Sequence, residues 1–233
     1  MTQDLSTWLA GFSELFFPQV CITCRRKLFS SEKYICLFCI QELPRTLFHL
    51  DEENKVARLF WGRVEILYAT SWLFFRKGSP YQQLIHYLKY KGLKELGQEL
   101  GYLFGNDLRE SPFSGCELVI PVPLHPAKEK KRGYNQSEWI ARGIAGALAL
   151  PLPRAALVRA ADTQTQTRKS RFERWQNVEG IFEVPDPELI LGRHILLIDD
   201  VVTTGSTLEA AAQALLCSGA AGVSLATLAI ADF

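Results

Sequence analysis

The chain lacks an excess of either charge: 26 Lys and Arg stand against 25 Asp and Glu over 233 residues, a formal net charge of +1. A protein held on nucleic acid by bulk electrostatics is thereby excluded, and any such surface has to be a local patch. The opening MTQDLSTWLAGFSELFFP carries Asp4 but no Lys or Arg. The basic n-region of a secretory signal is missing, so a cytoplasmic location is expected and the sequon Asn135-Gln136-Ser137 is idle. No charge interrupts Ala210 to Ala231, a run long enough to cross a bilayer, yet it consists mostly of Ala, Gly, Ser and Thr with Gln213 inside. It reads as helix, turn and buried strand, without membrane insertion. Neither GxxxxGK[ST] nor any Gly-x-Gly occurs, which leaves no basis for a P-loop NTPase or a common dinucleotide fingerprint. Internal repeats and low-complexity tracts are also missing.

What is present is enough hydrophobic material, 48% of residues, to bury a sizeable core. Six cysteines in a cytosolic chain argue against structural disulfides. Four of them form two CxxC knuckles, Cys21-Ile-Thr-Cys24 and Cys36-Leu-Phe-Cys39, separated by 11 residues. Each knuckle aims two thiolates at one metal from a tight turn, and four thiolates in a tetrahedron suit zinc, with an iron-sulfur cluster as the alternative. A closed four-sulfur shell leaves no position for a substrate water, so the zinc is expected to be structural. Arg25, Arg26, Lys27 and Lys33 offset its negative charge. Cys116 and Cys217 read as small core residues.

Residues 1–60 differ from the rest: an amphipathic opening with Trp8, Leu9, Phe12, Leu15 and Phe16, then the cysteines, then the polar run Asp51 to Lys55. A boundary near residue 60 is expected. Val64 to Phe75 predicts one or two strands, Pro80 to Tyr90 a helix, and a second helix starts near Leu93 with glycines at 97, 101 and 105 for close packing. After Gly115 strand and helix alternate: Leu118–Val122, Ser137–Leu150, Ala156–Val158, Ile195–Ile198, Ser206–Cys217 and Val223–Ile230. That order predicts an α/β fold with a mostly parallel sheet covered on both faces and ligands beyond the strands' carboxyl ends.

The run Arg193-His-Ile-Leu-Leu-Ile-Asp199-Asp200-Val-Val-Thr203-Thr204-Gly205-Ser206-Thr207 is a buried strand leading through two acids into a hydroxyl-and-glycine loop before a helix. Ionised carboxylates at a strand end accept hydrogen bonds from sugar hydroxyls. Backbone N-H groups, the helix dipole and the hydroxyls of Thr203, Thr204, Ser206 and Thr207 make a monophosphate site without a lysine. A phosphorylated sugar is the expected ligand.

Ile195 to Thr207 resembles, without a gap, the phosphoribosyl diphosphate (PRPP) signature of type I phosphoribosyltransferases. Pro121-Val-Pro-Leu-His125 and Arg132-Gly-Tyr-Asn-Gln-Ser137 narrow the resemblance to the ComF/GntX branch of competence-protein relatives. So do Phe17-Pro18 before the first knuckle and the polar segment Thr163 to Phe182. Lys128, Lys130 and Lys131, where relatives often carry arginines, and Lys169, where leucine is common, depart from the pattern. The resemblance implies a type I phosphoribosyltransferase-like domain over residues 61–233, preceded by an N-terminal helix and zinc-ribbon-like module over 1–60. It implies that Asp199 and Asp200 hold the ribose hydroxyls, that Thr203, Thr204, Gly205, Ser206 and Thr207 cradle the 5'-phosphate, and that Mg2+ accompanies PRPP.

Lys128 to Gly133 holds four positive charges and one negative near the same sheet edge, so Lys131, Arg132 and Gly133 are expected at the diphosphate. Arg159 to Arg174 reads as a basic mobile lid in which Arg168, Lys169, Arg171 or Arg174 closes over the leaving diphosphate, with Arg174 the catalytic candidate. Arg76 to Lys94 carries five positive residues, no acids and Tyr81, Tyr87 and Tyr90. That mixture suits single-stranded DNA, while the helix's apolar face claims part of the tyrosines. With these basic segments, the resemblance implies two alternative functions: phosphoribosyl transfer in DNA uptake, or a non-catalytic PRPP sensor that contacts single-stranded DNA or a competence helicase.

Overall fold

The structure, a computed structural model, describes residues 18–159 and 181–231. The expected opening helix lies outside them. In chain order the described part runs α1 (Leu37–Gln41), α2 (Lys55–Arg58), β1 (Ala69–Phe75), α3 (Gln82–Tyr90), α4 (Lys94–Leu108), β2 (Leu118–Pro121), α5 (Pro126–Arg132) and α6 (Gln136–Leu148). It continues with β3 (Val158–Arg159), β4 (Phe182–Glu183), β5 (His194–Val202), α7 (Ser206–Cys217) and β6 (Gly222–Ala231). Strands β1-β6-β5-β2 form one sheet in that order, parallel throughout, while β3 and β4 pair antiparallel as a separate ribbon.

Parallel strands buried on both faces need apolar residues at successive positions, and alternation then decides which side each one faces. Val119, Leu196, Ile198 and Leu228 join one core with Leu84, Leu88, Leu100, Phe104, Ile140 and Ile144 from α3, α4 and α6. Their neighbours Leu118, Ile120, Ile195, Leu197 and Val223 join the other, with Val56 of α2, Phe60, and Leu208, Ala211 and Leu215 of α7. The expected α/β class is therefore observed.

Several local differences have physical reasons. Only Ala69–Phe75 of the expected Val64–Phe75 strand pairs with β6. Residues before it are drawn into a turn in which Arg63 and Val64 donate to the Phe60 carbonyl. Strand β5 runs through both acids to Val202, because β6 pairs with it as far as Ile230, whereas β2 stops at Ile198. The stretch read as a loop after β2 contains α5, which Pro126 starts. Cys217 is exposed, so only Cys116 of the two outlying thiols is a core residue.

The glycine spacing does what close packing requires. An added Cβ on Gly101 would lie 2.2 Å from the Ile140 carbonyl oxygen, and one on Gly143 would lie 2.1 Å from that of Gln98. Helices α4 and α6 thus touch backbone to backbone. We expect Gly101→Val to lower stability by at least about 3 kcal/mol, read as a lower urea midpoint; an unchanged midpoint would contradict the contact.

The open edge of β1 is strapped by residues 44–46. Phe74 donates its N-H to the Pro44 carbonyl, Thr46 donates its own to Trp72, and Arg45 bridges Leu73 antiparallel. An exposed edge would otherwise pair with other chains.

Candidate functional site

Two centres emerge. At the N-terminal one, the sulfur atoms of Cys21, Cys24, Cys36 and Cys39 all lie within 4.8 Å of one another, and those of Cys24 and Cys36 are 3.6 Å apart. Sulfurs about 2.3 Å from a common tetrahedral centre are spaced about 3.8 Å, so this donor set fits a closed metal site such as zinc. Burial works to raise the Cys21 thiol, but hydrogen bonds from the backbone of Cys24, Cys36 and Thr23 reverse this and bring it down to about 6. A thiolate is the form a metal takes. Buried Glu32 closes the loop between the knuckles, accepting from Leu37 N-H at 2.7 Å and Phe29 N-H at 2.8 Å. The knuckles are not an isolated bead: Cys21, Ile22 and Ile35 share a core with Trp72 and Leu84.

The second centre lies at the carboxyl ends of β5 and β2. A cleft of about 200 Å³ is lined by residues that include Asp199, Asp200, Ser137, Lys89, Lys128 and Arg132. A smaller hollow of about 40 Å³ adjoins it, formed by Asp199 and the segment Val201 to Leu208. Thr203, Thr204, Ser206 and Thr207 are exposed there while Gly205 is buried. Gly205 has φ +77°, and a Cβ on it would lie 2.9 Å from the Phe60 ring, so no other residue fits this turn without strain. Arg63 holds the loop from behind, donating from Nη1 to the Thr204 carbonyl at 2.8 Å and from Nη2 to Glu209.

Helices α2, α5 and α6 are capped by side chains of Asn54, His125 and Asn135, while α7, like α1, α3 and α4, has no side-chain cap. Its first N-H groups have no partner within the helix and, with the surrounding hydroxyls, present donors to an anion.

The Arg132–Ser137 segment builds one wall, each residue through its own contact. Arg132 donates to Gln136 Oε1 at 2.6 Å, Gly133 ends α5 at φ +84°, and the Tyr134 hydroxyl donates to the Leu88 carbonyl. Asn135 caps α6 by accepting from Ser137 N-H at 3.1 Å and ties it to the residue just after β2 by donating to the Val122 carbonyl at 2.9 Å. That clamp presents the Ser137 hydroxyl to Asp199 Oδ1 at 2.8 Å.

Of the residues expected at a diphosphate, Arg132 lines the cleft, Lys131 is exposed outside its lining, and the Gly133 N-H is spent on the Glu129 carbonyl. Lys128, one turn before Arg132, takes a place in the lining instead. His125 is a capping residue, its Nδ1 accepting from Ala127 N-H at 3.2 Å. Arg174 and the lid up to residue 180 lie outside the described residues. In the basic stretch Arg76 to Lys94, Tyr90 is exposed but Tyr81 and Tyr87 pack against the core. Lys89 faces the cleft, where its Nζ lies 2.9 Å from Asp200 Oδ2. It is therefore no free contact for a nucleic-acid strand. Sequence reasoning missed Ser137, Arg63 and this use of Lys89; the signal for Ser137 lay in the Asn-x-Ser order that builds a cap and a hydroxyl together.

Burial and the adjacent Asp200 charge push the Asp199 carboxyl up from 3.8 to about 7, against the donated bonds of Ser137 and Asp200 N-H and the Lys89 charge. The native chain thus keeps a proton that the unfolded chain has released. The stability this group adds is complete below about pH 4 and is lost as pH rises through 7. Asp199→Asn is expected to melt above the parent chain at pH 8, with the gap closing toward pH 4. A pH-independent gap would refute the assignment.

Residues 123–232 match the family described as "Phosphoribosyl transferase domain". The DNA utilization protein YhgH of Escherichia coli K12 is 34% identical over 148 residues, 62% of this chain and 64% of the relative. Competence protein ComFC of Bacillus subtilis is 28% identical over 228 residues, covering 97% of this chain and 90% of its own length. The chain is thus similar to proteins named for competence and for DNA utilization. It spans just under two thirds of the YhgH proteins it matches. Among solved structures, a hypoxanthine phosphoribosyltransferase from Staphylococcus aureus is 16% identical with a TM-score of 0.38, over 63% of this chain and 70% of the other. No helix among the described residues is long and apolar enough to cross a membrane.

Proposed function

We propose that the chain binds phosphoribosyl diphosphate in the β5 cleft and transfers the phosphoribosyl group to a nitrogen acceptor, in the service of DNA uptake or use. The observation that carries this reading is the convergence of two carboxylates with an uncapped helix N-terminus on adjoining hollows. One hollow has acceptors for sugar hydroxyls and the other donors for a phosphate, and both share Asp199, Val201 and Thr207. The role in DNA rests on the relatives named for DNA utilization and competence.

In this reading Asp199 and Asp200 accept hydrogen bonds from the ribose hydroxyls and fix the sugar. The Thr203–Thr207 segment donates to the 5'-phosphate, and Arg63 keeps that segment in shape from behind. Lys128 and Arg132 face the diphosphate and stabilise the charge it gains on leaving. Asp199 and Asp200 are the acids beside which Mg2+ would sit with the donor, and it would supply further charge neutralisation. The acceptor enters from an adjoining cleft of about 710 Å³ that shares Pro123, Leu124 and Arg159 with the sugar site. Zinc, held by the four cysteines, keeps the N-terminal knuckles folded.

The test is titration of the purified chain with phosphoribosyl diphosphate and Mg2+, with and without nucleobases, following diphosphate release. Acceptor-dependent release is the expected result. Saturable binding with no release would make the protein a sensor, and no binding would overturn the site altogether.

A further inference from the structure

Lys89 reaches the site from α3, well ahead of the matched residues 123–232. Its ion pair with Asp200 is largely shielded, with side-chain exposures of 20% and 14%. Among the described residues it is the one cation paired with either of the two adjacent acids. The helix that carries it is fixed on several sides. Leu84, Ile85 and Leu88 are buried, the Tyr134 hydroxyl grips the Leu88 carbonyl, and the Arg132 guanidinium sits 5.8 Å from the Tyr90 ring centre. From the cysteine knuckle, Arg25 donates to Gln83 Oε1 at 2.9 Å and to the Tyr87 hydroxyl at 3.4 Å. The backbone of α3 is therefore anchored, and what remains adjustable is the four-carbon stem of Lys89.

Two demands compete for Asp200. Its carboxylate is paired with the ammonium at 2.9 Å. Once a sugar sits on β5, the same oxygens are wanted by ribose hydroxyls, and the diphosphate brings new negative charge beside Lys128 and Arg132, in the cleft that Lys89 also lines. An ammonium is a compact charge with three rotatable donors, suited to changing partners over a short distance.

We propose that Lys89 is a donor-contacting residue with two positions, one paired with Asp200 as seen here and one on the diphosphate once the donor binds. The segment ahead of the matched domain thereby supplies a working cation to the site, and the cysteine knuckle, through Arg25, helps aim it. This inference rests on the proposed donor site.

The experiment measures binding of inorganic diphosphate with Mg2+, ribose 5-phosphate and phosphoribosyl diphosphate to the intact chain, Lys89→Met and Lys89→Arg. Melting midpoint and zinc content serve as folding controls. Lys89→Met is expected to weaken diphosphate binding by about 10- to 100-fold, as the loss of a charge-assisted contact implies. It should leave ribose 5-phosphate binding unchanged or several-fold tighter, since no ion pair then has to be opened. Lys89→Arg is expected to recover most of the diphosphate affinity. Equal weakening of both ligands would make Lys89 a structural counter-charge and overturn the proposal, as would no change in either. An intact chain that binds none of the three would instead overturn the donor site itself.

Discussion

Asp200→Ala is expected to lower affinity for the phosphoribosyl donor by about 100-fold or more, because each hydrogen bond to a charged acceptor contributes roughly 1.5–3 kcal/mol and the ribose offers two hydroxyls to the acid pair. The substitution also leaves the shielded Lys89 ammonium without its partner. Melting will therefore shift even if binding were to survive, and calorimetric titration with the donor is the decisive measurement. Unchanged affinity would remove the acids from the site. Asp200→Asn separates the effects: it keeps the shape and an acceptor oxygen but not the charge, so it should fall between the two.

Cys36→Ser is expected to release the bound metal and to cost several kcal/mol, about 10 °C or more in melting midpoint, because metal binding and folding of such a knuckle are one event. Cys36 is suited to this test since its Sγ lies 3.6 Å from that of Cys24 and its N-H donates to Cys21 Sγ at 3.5 Å. The damage should spread: the knuckle shares a core with Trp72 and Leu84 and holds α3 through Arg25. Hydrogen exchange should therefore quicken in Gln82–Tyr90 as well as in residues 21–39. Metal analysis of the denatured parent chain should return close to one zinc per molecule. A folded chain free of metal would refute the centre.

How legible all this was in the sequence depended on range. The two CxxC pairs and the Ile195–Thr207 run are local patterns, and local patterns carry their geometry with them: a knuckle is a tight turn, and a strand followed by Gly205 and a helix is a loop that exposes N-H groups. Glycines 97, 101 and 105 could be read for the same reason, since their spacing marks one helix face, although nothing near them named Gly143 as the counterpart. The contacts that complete the cleft are of another kind. Lys89 to Asp200, Ser137 to Asp199 and Arg63 to Thr204 each join residues far apart in the chain. A lysine in a basic, tyrosine-bearing helix looks like surface until the topology places that helix over the end of β5. Lys131, expected at the diphosphate, is exposed outside the cleft lining, to which Lys128 and Arg132 of the same short helix contribute.

The strap formed by residues 44–46 has a consequence for how the chain is made. Strand β1 finds its sheet partner β6 more than one hundred and fifty positions later, at Leu225 to Ala231. During synthesis it must wait, with apolar Trp72 and Leu73 in hand, until β6 has emerged. Pro44, Arg45 and Thr46 are already out of the ribosome by then, so the strand can borrow hydrogen bonds from its own upstream neighbours. A nascent chain with that temporary partner offers one fewer sticky margin to its neighbours on a crowded polysome.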